Sequence, residues 1–522
     1  MHSFIRFRKD SQHMTAQSTE EAYQIVLEQS QRVIDLEKTN QIMRWDSDVM
    51  MPPGGGPARS SQRTTLSSAH HRYLTDDRLG EALETLEDAD LDDEQEAIVR
   101  EVRREYTTES RVPERLNAEI SDVTAQAHEA WKDAREADDW STFGPLVAEH
   151  FEVKKEWSAN VDPDGDPYEV IWTQRTGYRA QPDISLATVD RIFDTLREEL
   201  VPLIEQIHES EQELATEALT SEEGELDIET QKDLNRAALD VLGLDWDRTR
   251  FDVAPHPFSF GNPYDVRMTT RYDETDLTKG LTGTIHEFGH TAYAHGLPQE
   301  QYGTPLGEPR GIGIHESQSR FFENHVARTE AFWEQFLPTV KEHFPQLADV
   351  SVRAAYECIN QVFDDNVIRV DSDELTYHMH IILRTEIERD LFHNRIDADE
   401  IPQLWNQKME EYLGVRPTTD NEGCLQDPHW SRSLPGFIGY TIGSVLAAQL
   451  DAAMREDLDH DVDALIREGR LEPIRGWLTE NVHAHGQFYR SDELIRRATG
   501  EDLTADYFVT YVTEKYGELY DL

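Results

Sequence analysis

The chain has 522 residues, long enough for two or three average domains or one large helical unit. Its 104 Asp and Glu face only 50 Lys and Arg, a formal net charge of −54, which argues against nucleic acid or an anionic membrane as partner. With 38% hydrophobic residues, including 10 Trp, 18 Tyr and 19 Phe, the chain is too rich in core material to be a disordered acidic protein.

The basic residues are forty arginines and only ten lysines. So acidic a surface repels itself at ordinary ionic strength, but at molar salt, where the Debye length is about 3 Å, the repulsion is screened. The composition therefore predicts a halophile's cytosol. Cys358 and Cys424 form no disulfide framework and no CxxC pattern, which fits a reducing, cytoplasmic compartment. The start MHSFIRFRKDSQHM has no apolar stretch behind its basic residues, so it does not read as a secretory signal. No run approaches the length of a membrane span. Residues 1–14 read as an extension, with Met14 a plausible natural start, because helical patterning begins only after it.

In chain order, Ser18 and Glu21 form a capping box before a helix carrying Ala22, Val26, Val33 and Leu36 near one face. MPPGGGPARSS, after Trp45 and Asp46, reads as a tight irregular turn. Helical periodicity returns in DEQEAIVREVRREY, VDRIFDTLREELVPLIEQI and AAYECINQVFDDNVIRV, and the acidic tracts between read as solvated faces or turns. The fold class is mainly α, with no fixed-period repeat and no long linker. One stretch breaks the rule: from Asp265 to Tyr272, Val266, Met268, Thr270 and Tyr272 alternate with polar residues, as in a strand. Such a strand is either a small structural hairpin or a rail that pairs with an extended peptide.

Directly after it comes TIHEFGHTAYAHG, a helix with Leu281, Ile285, Phe288 and Ala292 available for packing and Gly296 as a stop before Pro298. His286 and His290 lie one turn apart on one face, a spacing that holds one Zn²⁺, with Glu287 beside them. The bland alternative, two buried histidines bonded to carbonyls, leaves Glu287 unexplained. A catalytic zinc needs a third protein ligand and one open position. In GIGIHESQSRFFENHVARTEAF, a Gly-rich turn leading into a helix, Glu316 is the natural candidate and His315 its competitor. Glu287 as general base for water activated by the metal points to peptide or amide hydrolysis.

These segments together resemble the M32 metallocarboxypeptidases, of the thermostable carboxypeptidase 1 type. HEFGH is followed thirty residues later by the Glu of HESQS; WDSDVMMPPGGGPARSSQ, HPF (His256 to Phe258), DVRMT, IRVDSD and GCLQDPHW follow the family's other motifs. The resemblance implies a single helical unit with a deep groove and a small β-sheet beside the active-site helix, usually a homodimer. It further implies removal of C-terminal amino acids from peptides with Zn²⁺ or, in some members, Co²⁺. By motif, His286, His290 and Glu316 would hold the metal and Glu287 would be the base. The substrate's free carboxylate needs a guanidinium; Arg369 in IRVDSD is the first choice and Arg267 in DVRMT the second, with Gln426 of the QD segment also at the substrate. His429 and Tyr440 are expected to face the oxyanion.

Two departures from the family stand out. HWSRSLPGFIGYTIG is one residue short and carries Phe437 where a tyrosine is expected, and PYEVIWTQRTGYRAQPDISLATVD replaces a familiar groove-wall segment. The pairs His70 and His71, His378 and His380, and His483 and His485 read as structural, and Cys424 lacks the basic setting of a nucleophile. An internally cutting zinc oligopeptidase and an inactive peptide-binding relative are the competing functions; intact Glu287 argues against the second.

Overall fold

The computed structural model describes residues 18–177, 180–221, 224–426, 428–431 and 435–522; the proposed extension 1–14 lies outside them. Helices dominate. The first, Thr19–Val49, starts at the expected box: Glu21 N–H donates to Ser18 Oγ at 3.2 Å and Ser18 N–H to Glu21 Oε2 at 3.1 Å. The Pro/Gly segment is less irregular than its composition predicts. Only Met50 to Gly55 leave the α-helical path, and Gly56–Leu74 is already a helix with proline in its first turn, where a missing N–H costs nothing. Arg59 locks this corner, donating to Met43 O and pairing with Asp46 at 2.5 Å. The acidic tract before Asp93–Arg111 supplies that helix's own capping box, Asp92 with Gln95.

The helical reading of AAYECINQVFDDNVIRV holds only for its first half. Helix Val352–Ile359 stops because the Asn360 side chain takes Tyr356 O and Arg328 O, and Asn366 then turns the chain by accepting from Ile368 N–H at 2.8 Å. Arg369 lands on a single 3₁₀ turn, Arg369–Asp371.

Three strands, β1 (Thr249–Val253), β2 (Ser259–Asn262) and β3 (Asp265–Thr270), form one sheet in the order β1-β3-β2. β3 is the alternating stretch, two residues shorter than expected. It pairs in parallel with β1 (Phe251 opposite Met268) and antiparallel with β2 (Phe260 opposite Arg267). Its backbone groups are thus committed on both sides, which leaves the structural alternative for β3 and makes β1 and β2 the edge strands. The helix Leu277–Gly296 packs on β2 and β3, and a large core joins it to most of the remaining helices. A smaller cluster, Ala22, Tyr23 and Val26 against Leu79, Leu83 and Ile98, holds the first helices together. Among the described residues no helix is long and apolar enough to cross a membrane.

One core residue is costly. His150, in helix Gly144–Val161, is 1% exposed, and neither ring nitrogen has a hydrogen-bond partner. Burial, reinforced by Lys154, pushes its pKa down to about 3. The unfolded chain, with the histidine near 6.5, therefore binds the extra proton between those limits, and stability falls as pH drops below 6.5. His150→Leu should raise Tm, and calorimetry at both pH values should show a gain about 2 kcal/mol larger at pH 5 than at pH 7.5. A pH-independent difference would refute this account.

Candidate metal centre

The helix Leu277–Gly296 is capped by Asp276, which accepts from Thr278 N–H, and buries Leu281, Ile285 and Phe288. It ends at Gly296, as the sequence predicts. The next helix, Ile312–Arg320, crosses it at backbone contact, and Gly289 is the reason. A Cβ there would stand 2.3 Å from Gln318 O and 2.5 Å from Ser319 Cα. On the other side Gly443, in helix Ile438–Asp457, gives Glu316 the same room, since its Cβ would stand 2.4 Å from Glu316 Cβ. Two glycines thus bring the Glu316 carboxylate against the imidazoles.

The resulting geometry is that of a metal site. His286 Nε2 and His290 Nε2 are each 3.7 Å from Glu316 Oε2, and one ligand atom from each of the three lies within 4.8 Å of the others. The rings stand nearly perpendicular, with centroids 5.0 Å apart. Each Nδ1 is engaged behind: that of His286 with Glu323 Oε2 at 2.8 Å, that of His290 with His315 O at 3.1 Å. Donation there leaves both Nε2 lone pairs facing Glu316, the arrangement a divalent cation requires. His315, the competing candidate, is stacked on the His290 ring at 4.2 Å and supports it from the side.

Glu287 is 6% exposed and its Oε2 has no hydrogen-bond partner. Burial pushes its carboxyl up to about 8; His286 opposes this, while Glu316 and Glu323 add to it. A cation between the ligands would favour the carboxylate, so the donor set and the orphan oxygen fit a bound metal. Glu323 is the residue that spacing did not reveal. Despite burial, Arg320 (3.0 Å) and His286 hold it strongly ionised. It lies in a π-helical segment, Phe321–Ala327, that continues the Glu316 helix. The legible trace was the Arg320/Glu323 pair, three apart and seven beyond Glu316.

The other expected residues divide into two groups. Arg369 is 7% exposed, with its Cζ 4.8 Å from the Phe437 ring and Nη1 3.5 Å from Tyr377 Oη. His429 meets Phe437 edge-on at 4.9 Å, and Tyr440 lies 6.0 Å from it and 6.3 Å from Tyr377. Tyr377 in turn lies under Arg320 at 5.0 Å, which ties this cluster to Glu323 and the metal centre. Phe437, the departure from pattern, is therefore its hub. Tyr440 stands one helical turn before Gly443, on the face toward Glu316, in spite of the shortened loop.

Arg267 and Gln426 sit differently. Arg267 forks onto Asp265 at 2.7 and 2.9 Å and lies 4.6 Å over Trp45, so its charge already has a bidentate partner. Gln426 accepts from Arg369 N–H at 2.8 Å and donates to Val367 O at 3.1 Å. Its amide braces the Arg369 turn instead of facing outward. One member of each remaining histidine pair is hydrogen-bonded within the protein: His71 to Glu109, His378 to Thr441 and His483 to Gln318. Cys424 is buried, its thiol pushed up by burial, as an inert cysteine would be.

Residues 25–516 match the sequence model of the Carboxypeptidase Taq (M32) metallopeptidase family. The chain belongs to the M32 carboxypeptidase family. It is 36% identical to Carboxypeptidase 1 of Bacillus subtilis over 484 residues, covering 92% of this chain and 95% of that one. To Thermostable carboxypeptidase 1 of Thermus thermophilus it is 34% identical over 513 residues, 96% and 99% of the two chains. The crystal structure of the M32 carboxypeptidase from Deinococcus radiodurans superposes with a TM-score of 0.90 at 32% identity, covering 96% of this chain and all of that one. The Pyrococcus furiosus carboxypeptidase gives 0.91 at 32% identity over 95% and 99%.

A divalent metal belongs to an M32 metallopeptidase, and His286, His290 and Glu316 are the group that fits it among the described residues. Glu323→Ala should then weaken metal binding roughly 10–100-fold by freeing the His286 ring, measured by competition with a chelator. Unchanged affinity would reduce Glu323 to a helix ion pair.

Proposed function

We propose that this carboxypeptidase cleaves the last peptide bond of peptides with a free C-terminus, with His286, His290 and Glu316 holding Zn²⁺. The same donor set accepts Co²⁺. When bound, such a cation acidifies water and polarises the scissile carbonyl. Glu287, buried with an unpartnered oxygen, takes the proton from the attacking water and passes it to the leaving amine. Arg369, placed over the Phe437 ring and braced by Gln426, receives the terminal carboxylate. His429 and Tyr440, both packed near Phe437, donate to the oxyanion. Phe437 offers no hydroxyl, so hydrogen bonding in this cluster falls to Tyr377 and Tyr440. Arg267, already paired, stays with the sheet. The observation that carries the reading is the convergence of two Nε2 atoms and one carboxylate oxygen beside the orphan Glu287 oxygen.

The surplus of carboxylates is our reason for placing the enzyme in concentrated salt, and the buried free cysteines our reason for a cytoplasmic setting. A homodimer is our expectation from the family. The deciding test is hydrolysis of a blocked dipeptide and of its C-terminal amide, in molar KCl with Zn²⁺ or Co²⁺. Cleavage of the acid alone supports the proposal; equal rates would make the protein an internally cutting oligopeptidase. Arg369→Ala should cost roughly 2–4 kcal/mol in kcat/KM for free acids, with KM raised. Intact kinetics would remove Arg369 from the substrate.

A further inference from the structure

Two joined cavities adjoin the metal centre at His290, whereas the Arg369 cluster connects to it at His286. That cluster reaches the site through Tyr377, Arg320, Glu323 and His286. The first cavity is walled instead by His290, His315, the edge strand β2 and Glu308. The second shares the walls Glu37, Glu308 and Pro309 with the first and continues to Gln29 and Glu105.

Their charge is unbalanced. Among the described residues Lys38 is the lone lysine or arginine of these walls, paired with Glu308 Oε2 at 2.5 Å. Glu101 is satisfied by Arg100, Arg104 and Arg310. Glu37 has only the Gln41 amide at 3.3 Å, and Glu105 the Gly177 N–H at 3.3 Å with Arg104 at 3.7 Å. Three acceptors of these walls are orphaned in the interior: Glu308 Oε1, Gln41 Oε1, and Oε1 of Gln29, which is 2% exposed. Burial pushes the Glu308 carboxyl up to about 7, the mark of a carboxylate short of positive charge. What is missing is a cation rich in N–H donors. A bare metal ion fits poorly, because among the described residues only His286, His290 and Glu316 bring such ligand atoms within 4.8 Å of one another. A primary ammonium has three donors that bridge separated acceptors.

We infer that the joined cavities take the part of the substrate on the amino side of the cleaved bond, and that Glu37, Glu105 and Glu308 receive a primary ammonium there. Its source is the free amino terminus of a short peptide or an upstream lysine side chain. The inference rests on the proposed seat of the substrate carboxylate at Arg369, which sends the rest of the peptide past His290. An extended chain entering this way passes the unpaired edge of β2.

The test compares wild-type kcat/KM, at fixed salt, for a free-amine tripeptide and its N-acetylated form, and for N-acetylated tripeptides with lysine or norleucine first. A buried charged hydrogen bond predicts a preference of about tenfold for whichever substrate delivers the ammonium. The first pair reports an amino-terminal source and the second a lysine source. In the Glu37→Gln/Glu308→Gln variant the ratio should fall toward one. Equal rates within both pairs of wild-type reactions overturn the inference while leaving the carboxypeptidase reading intact; no cleavage of any free acid takes both down.

Discussion

Glu287→Gln should lower kcat by roughly 10²–10⁴-fold while the protein keeps its metal. The change is nearly isosteric and spares all three candidate ligands, so elemental analysis of the variant should match that of the wild type. What disappears is the proton acceptor. A glutamine in this place also gains two donors in surroundings where Glu287 Oε2 has no partner, and it cannot shuttle a proton from water to the leaving amine. Retained turnover would remove Glu287 from the mechanism, and loss of metal would show that its charge serves binding instead.

Gly289→Ala should be nearly as damaging, against the expectation from helix propensity. In an isolated helix the substitution is worth about 1 kcal/mol in favour of alanine. Here the added methyl would meet Gln318 O at 2.3 Å and Ser319 Cα at 2.5 Å, both backbone atoms that cannot rotate aside. The two helices must separate, at a cost of about 1–3 kcal/mol by ordinary overpacking, and Glu316 leaves the imidazoles. Thermal unfolding and chelator competition should report a lower Tm and weaker metal retention. Gly283, on the same helix, has nothing within 4 Å of a built Cβ. Gly283→Ala is therefore the control, expected to bind metal normally; if both variants do, the close crossing is not what positions Glu316.

Much of this architecture could be read from local pattern. The box at Ser18, the alternation in β3 and the histidines four apart are each written within one turn or strand, where a residue's neighbours in sequence are its neighbours in space. The helix end at Asn360 was missed because it depends on Arg328 O, thirty-two residues away. The choice between hairpin and rail for β3 stayed open for a related reason: alternation reveals a strand but not its place in the sheet. Motif ranked Arg369 before Arg267, but their different settings, over Phe437 and forked onto Asp265, come from partners that neither motif encodes. Glu323 stood in plain view beside Arg320, yet its role comes from the helix it meets, which no spacing within its own segment encodes.

The wide turn from Phe321 to Ala327 has a consequence for how this site can change over time. A bulge of this kind holds one residue more than an α-helical turn, so no substitution removes it; only a deletion does, and a deletion swings every later side chain about a quarter of the way round the axis. Glu316 lies before the bulge and Glu323 within it, while both answer to histidines of a single neighbouring helix. Lineages carrying this arrangement are confined to drift in side-chain identity at fixed length here. Gaps in this segment between descendants should accordingly coincide with a changed partner behind His286 and weaker metal binding.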